Sequence, residues 1–131
     1  MEFAVKNKGL IHTIVFDLDG TLVDTALLTL QAFRLIAPGM GLKVQGVERI
    51  RTAIGYANPE FYYHIYPDQP QERVFQFGRL VEREELRLLP HMNHMLLFPG
   101  CLELLTELRE KHISLYIAST GSEEHVSAVI P

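Results

Sequence analysis

Blocks of apolar and polar residues along the chain predict an alternation of short strands and helices. The run His12-Thr13-Ile14-Val15-Phe16-Asp17 is β-branched and aromatic. It is too short for a helix and ends in the turn composition Asp17-Leu18-Asp19-Gly20, so residues 11–17 are expected to form a buried strand. Residues 25–37 predict a helix with Leu27, Leu30, Phe33, Leu35 and Ile36 on a broad apolar face. Asp24 or Thr25 would cap it, and Pro38-Gly39 would stop it. A shorter helix is expected over 46–54, ending at Gly55. Asn58-Pro59 then supplies a cap and an N-terminal proline for another helix through Ile65, and Pro67 and Pro70 bracket a turn. Residues 70–89 carry the strongest helical pattern, with Val74, Phe77, Val81 and Leu88 at core spacing. Glu72, Arg73, Glu82, Arg83, Glu84 and Arg87 predict a solvated charged face, and Pro90 an end. Residues 91–98 read as a linker. Pro99-Gly100 opens a helix with Leu102, Leu105 and Leu108 on one side. A second strand covers 113–118, then a turn at Ser119-Thr120-Gly121-Ser122 and a helix from Glu123.

Two strands separated by a long helical block predict an α/β fold whose parallel sheet is interrupted by a helical insert. Ligands of such sheets bind at the carboxyl ends of the strands, where Asp17, Asp19, Ser119 and Thr120 all fall. Composition narrows the partners. With 131 residues, 47% hydrophobic and 21% charged, the chain has enough apolar material for a packed core. Its 12 basic and 16 acidic side chains give a net charge of -4 and no basic stripe, which argues against nucleic acid. The single cysteine, Cys101, forms no intrachain disulfide and belongs to no zinc knuckle. No signal-like or membrane-spanning apolar run is visible, so a cytoplasmic protein without a membrane partner is expected.

Carboxylates two residues apart at a strand end can hold a hard cation such as Mg²⁺. One of them can attack phosphorus, and a second acid can protonate the leaving oxygen and then activate water. Gly20 lets the backbone approach a phosphate, so that its N–H groups join an anion nest, and a hydroxyl of Ser119 or Thr120 can bond a phosphoryl oxygen. Asp-x-Asp-Gly after a strand is also ordinary turn chemistry.

The flanking residues decide between these readings. Val15-Phe16-Asp17-Leu18-Asp19-Gly20-Thr21-Leu22-Val23-Asp24-Thr25 closely resembles the first motif of the haloacid dehalogenase-like phosphohydrolases. The segment from Leu96 through Phe98-Pro99-Gly100 to Leu105 resembles the re-entry of such chains from an inserted cap, and residues 114–120 resemble the second motif. The resemblance implies a Rossmann-like core with an incomplete parallel sheet, formed by residues 1–21 and 93–131, and an α-helical cap over 22–92. It implies Asp17 as nucleophile and metal ligand, and Asp19 as general acid/base and carbonyl metal ligand for Mg²⁺. Gly20 and Thr21 would lie at the phosphate, with Ser119, or Thr120, as its hydroxyl ligand. The substrate would be a small phosphorylated metabolite. In phosphoglycolate phosphatase-like members a cap turn like Ile54-Gly55 faces the active site, with Arg51 or Tyr56 beside it; a helix ending on glycine accounts for the same residues.

The family also uses a lysine and further acids beyond its second motif; Lys111 precedes that motif here and does not replace the lysine. The chain is therefore expected to be the N-terminal portion of an enzyme, weakly active alone, with an unpaired sheet edge open to self-association. A β-phosphoglucomutase-like phosphotransferase, a phosphonatase-like hydrolase and an inactive binding or oligomerisation module are the alternatives. The His91/His94 pair is expected to bind no metal, and Cys101 reads as a packed thiol. Phe61, Tyr62, Tyr63 and Tyr66 read as cap core rather than a ligand slot.

Overall fold

The computed structural model describes residues 10–129, apart from the side chains of residues 93 and 94. The metal reading of the His91/His94 pair therefore rests on a side chain outside the described residues. The element order is β1 (Thr13–Asp17), α1 (Thr25–Ile36), a 3₁₀ turn (Pro38–Met40), α2 (Val47–Ala53), α3 (Glu60–Ile65), α4 (Gln71–Leu96), α5 (Cys101–Glu110), β2 (Ser114–Ala118) and α6 (Glu123–Val129).

β1 and β2 pair in parallel, from Thr13 opposite Ser114 to Asp17 opposite Ala118. The shared register brings both strand ends to the same edge of the sheet. The strands are not buried on both sides as the apolar run suggested. Exposure alternates with the period of two of a pleated strand: Ile14, Phe16, Leu115 and Ile117 are half-covered, while the register partners Val15 and Tyr116 are 61% and 59% exposed. Phe16 and Ile117 pack on a small core of Leu18, Leu22, Val23, Leu28, Leu89 and Leu96.

A larger core lies among α1, α2, α3 and α4, where Phe33, Ile50, Val74, Phe77 and Val81 are fully buried. Phe33, Tyr62, Tyr66 and Phe77 meet ring to ring at centroid distances of 5.0–6.5 Å. Phe61, Tyr62 and Tyr66 are thus core residues, with Tyr63 packed beside them. Gly78 on α4 is required by this packing, because a Cβ there would lie 2.6 Å from the Tyr62 ring.

Four expectations are corrected. In α1 the buried side is Ala26, Leu28, Thr29, Ala32 and Phe33, while Leu27 and Leu35 face outward. Asp24 sits at the N-cap of α1 without capping it; its carboxylate takes two hydrogen bonds from Arg51, at 2.8 and 3.1 Å. Leu102 on α5 is exposed, and that helix has no fully buried residue. Lastly, α4 runs through Pro90 to Leu96, so most of the expected linker is helix. Proline removes the bond to the Leu86 carbonyl and costs roughly 3 kcal/mol in a helix interior. Burying Leu89 and Leu96, each 2% exposed, returns roughly 1.5–3 kcal/mol each.

Candidate active site

The two strand ends, the loop after β2, the start of α6, and α1, α3 and α4 line an open-mouthed cavity of about 140 Å³. Asp17 and Asp19 form its sheet side. The wall continues through Thr25 and Thr29 of α1, Ile54, Gly55 and Tyr56, then Glu82, Glu85 and Leu86 of α4, and Thr120, Gly121 and His125 after β2. Sequence neighbours supply the geometry at Asp17: the Thr21 hydroxyl donates to Asp17 Oδ2 at 3.0 Å, closing the turn over the strand end. Asp19 is held on both oxygens. His125 Nε2 lies 2.9 Å from Asp19 Oδ1, and the Ser119 hydroxyl donates to Oδ2 at 3.4 Å. That hydroxyl in turn accepts the Gly121 N–H at 3.0 Å. A Cβ at Gly121 would meet the His125 ring at 2.9 Å, so this close approach needs glycine.

Several expected site residues therefore come together, and others do not. Asp17, Asp19, Gly55, Tyr56 and Thr120 line the cavity. Ser119 is placed beside it, bonded to Asp19, so Thr120 is the hydroxyl residue that reaches the wall. Thr21 stands behind Asp17. The Gly20 N–H does not join an anion nest; it donates to the Val23 carbonyl at 2.8 Å and serves the turn. Gly20 is nonetheless required, since its φ is 78° and a Cβ would press Ile54 at 3.0 Å. Arg51 points to Asp24 and is not part of the cavity wall.

The acidic residues of α4 are the main surprise. Glu82, expected on a solvated face, is half-buried against the cavity and accepts a hydrogen bond from Asn58. Glu85 accepts one from the Thr29 hydroxyl at 2.6 Å. Burial pushes the Glu85 carboxyl up to about 7, partly offset by the Thr29 bond. Burial also raises Glu82, with Asn58 opposing. His125 is raised by its bond to Asp19 more than burial lowers it. One sequence signal existed: Glu85 occupies a slot in the 74-77-81-85-88 stripe that is otherwise apolar. Nothing comparable marks His125, Thr29 or Asn58.

Among the described residues, no group of three or more His, Cys, Asp or Glu side chains is arranged to hold a metal ion, and no helix is long and apolar enough to cross a membrane.

Comparison with solved structures reproduces the fold. A protein described as a predicted phosphoglycolate phosphatase from Haemophilus somnus superposes with a TM-score of 0.80 at 18% identity, over 95% of this chain and 58% of that one. A haloacid dehalogenase-like hydrolase from Bacteroides fragilis gives 0.70 at 24% identity, over 93% and 59%. CbbY from Rhodobacter sphaeroides, solved with phosphate, gives 0.68 at 24%, over 92% and 56%. The chain thus spans a little over half the length of the structures it matches. No curated protein sequence matches it. The model of the haloacid dehalogenase-like hydrolases matches residues 14–130, from the first residues of β1 through α6. With the parallel strands, the paired aspartates at their ends and the helices over them, this chain belongs to the haloacid dehalogenase-like hydrolase family.

Proposed function

We propose that the chain carries the nucleophile of a Mg²⁺-dependent phosphomonoester hydrolase for small metabolites, of the phosphoglycolate phosphatase-like kind, with residues 22–92 as a helical cap. The supporting observation is the register of two parallel strands, which sets Asp17 and Asp19 beside the Thr120 loop at the mouth of one cavity. Asp17 attacks phosphorus and the ester bond breaks; the departing oxygen takes a proton from Asp19. Asp19 then removes a proton from water, whose oxygen attacks phosphorus, freeing Asp17 and phosphate. His125 and Ser119 hold the Asp19 carboxyl in place. Thr21 orients Asp17.

Oxygen donors of the kind a hard divalent cation takes line the cavity, though among the described residues no three of these side chains are arranged around one ion. Five carboxylates, Asp17, Asp19, Glu82, Glu85 and Glu124, line the cavity, and among the described residues no lysine or arginine does. A phosphate dianion entering such a wall is repelled unless a cation accompanies it. Asp17 and the Asp19 carbonyl would hold Mg²⁺, which keeps several waters and binds substrate phosphate directly. Bound there, it would neutralise phosphoryl charge. The regular elements among the residues assigned to the cap are all helical, and α4 continues through the boundary at 92 into the re-entry segment.

Turnover of p-nitrophenyl phosphate with and without Mg²⁺, by the chain extended to the full length of the structures it matches, tests the reading. Asp17→Asn is expected to lower it by orders of magnitude while the fold is kept. Asp19→Asn is expected to cost roughly 10²–10⁴-fold on alkyl phosphates and less on the activated aryl ester. Parental rates from Asp17→Asn would overturn the assignment.

A further inference from the structure

Resting on the phosphatase reading, we propose that the Arg51–Asp24 pair is a positioning clamp. It sets the Ile54-Gly55-Tyr56 turn against the loop that carries Asp17 and Asp19, and so fixes the spacing of two walls between which the substrate lies. Asp24 is anchored by its backbone surroundings. Its N–H donates to the Leu96 carbonyl at 2.7 Å, Val23 bridges to Leu97, and the Phe98 N–H donates to the Leu22 carbonyl at 3.0 Å. The same short segment holds the nucleophile loop, because the Gly20 N–H donates to the Val23 carbonyl and Asp19 bridges to Val23. Onto this anchor α2 places Arg51, whose guanidinium donates to both carboxylate oxygens of Asp24 at 2.8 and 3.1 Å. Among the described residues no other hydrogen bond joins α2 to residues 17–24. Two parallel bonds fix direction as well as distance, which a bare charge does not.

The turn supplies an independent observation. α2 ends at Ala53, so the three residues after it are carried wherever Arg51 is held. Ile54, Gly55 and Tyr56 all line the cavity, whereas Arg51 does not. Ile54 Cγ2 stands 3.0 Å from the place a Gly20 Cβ would occupy. That contact closes a circuit from the loop through Val23, Asp24, Arg51 and the turn back to the loop. On its far side the turn is braced by the Tyr56 ring, which stacks on His64 at 5.0 Å. The Arg51 and Asp24 side chains are 39% and 14% exposed, so the pair adds little to global stability. Its effect is geometric, because catalysis is sensitive to small displacements of the groups that position a substrate.

Steady-state kinetics of the extended chain on p-nitrophenyl phosphate, with inorganic phosphate as competitive inhibitor, test this. Arg51→Lys keeps the charge and loses the two-point geometry. It is expected to lower kcat roughly tenfold or more, with the phosphate inhibition constant within about twofold of the parent. Arg51→Gln and Asp24→Asn are each expected to show a similar loss, and the double variant to lose no more than either alone. A second readout needs no turnover: in the 131-residue chain the Gly20 amide resonance is expected to shift in Arg51→Lys, although Arg51 makes no bond to Gly20. Parental kcat in Arg51→Lys, additive losses or an unmoved Gly20 resonance overturns the clamp. So does an inhibition constant that rises as kcat falls, since Arg51 would then be a direct anion ligand. If the parent itself turns over no phosphomonoester, the phosphatase reading fails, and the Gly20 resonance alone decides whether the clamp exists.

Discussion

The helical region and the sheet region of this chain are built from similar residues but reach different degrees of burial. Between α1 and α4 the side chains of Phe33, Ile50, Val74, Phe77 and Val81 have no exposed surface, and four aromatic rings interlock. In the sheet region β1, β2, α5 and α6 contain no fully buried residue, and Val15 and Tyr116 stand on an open face. Four helices bury their main apolar stripes against one another, while Leu27, Leu35, Phe75 and Leu80 stay exposed. A two-stranded sheet has two faces, and here helices cover one of them. Stability is thus concentrated in the helical region, while the chemistry sits at its border with the sheet.

The largest effect should follow from opening the helical core. Phe77→Ala removes a fully buried ring that touches three other aromatic residues, and is expected to cost about 3–5 kcal/mol in urea unfolding. Val15→Ala in the sheet is expected to cost well under 1 kcal/mol. Comparable losses would erase the distinction between the regions.

A smaller effect, dependent on pH, is expected at the border. The Glu85 carboxyl is raised from about 4.5 to about 7 on folding, so the folded chain holds its proton more tightly than the unfolded one. Its favourable contribution is therefore complete below about pH 4.5 and lost as pH rises through about 7. Asp19, Glu82 and His125 face it, His125 opposing the rise and the two carboxylates adding to it. Glu85→Gln keeps the Thr29 bond and removes the charge. It should be more stable than the parent at pH 8 by roughly 1–3 kcal/mol, with the gap closing near pH 5. A gap independent of pH would mean that Glu85 is not held in a charge-disfavouring site.

The smallest effect on stability belongs to the open face. Tyr116→Ser should change unfolding by less than about 0.5 kcal/mol, yet reduce self-association in sedimentation velocity. An unchanged distribution of species would remove the sheet region as the seat of association.

The ease of reading each region from the sequence follows the range of the forces involved. β1, β2 and all the helices were legible because period, proline and glycine act within a few residues. The pairing of Asp17 with Asp19 at a strand end was equally local. The second face of the sheet was misread, because a β-branched run looks the same whether one or both of its sides are covered. The course of α4 through Pro90 was misread because Leu89 and Leu96 gain their burial from residues far away in the chain.

The sequence by itself determined the α/β order, the strand-end aspartates and the family motif, all of which depend on neighbours along the chain. Only the tertiary structure decided that His125 reaches Asp19, that Thr120 rather than Ser119 meets the cavity, and that Glu82 and Glu85 turn inward. Those contacts join positions as far as 106 residues apart, and they exist because parallel pairing and helix packing bring distant segments of the chain to one place. A carboxylate on a helix carries no local mark of the wall it will face; that is fixed when the helix docks.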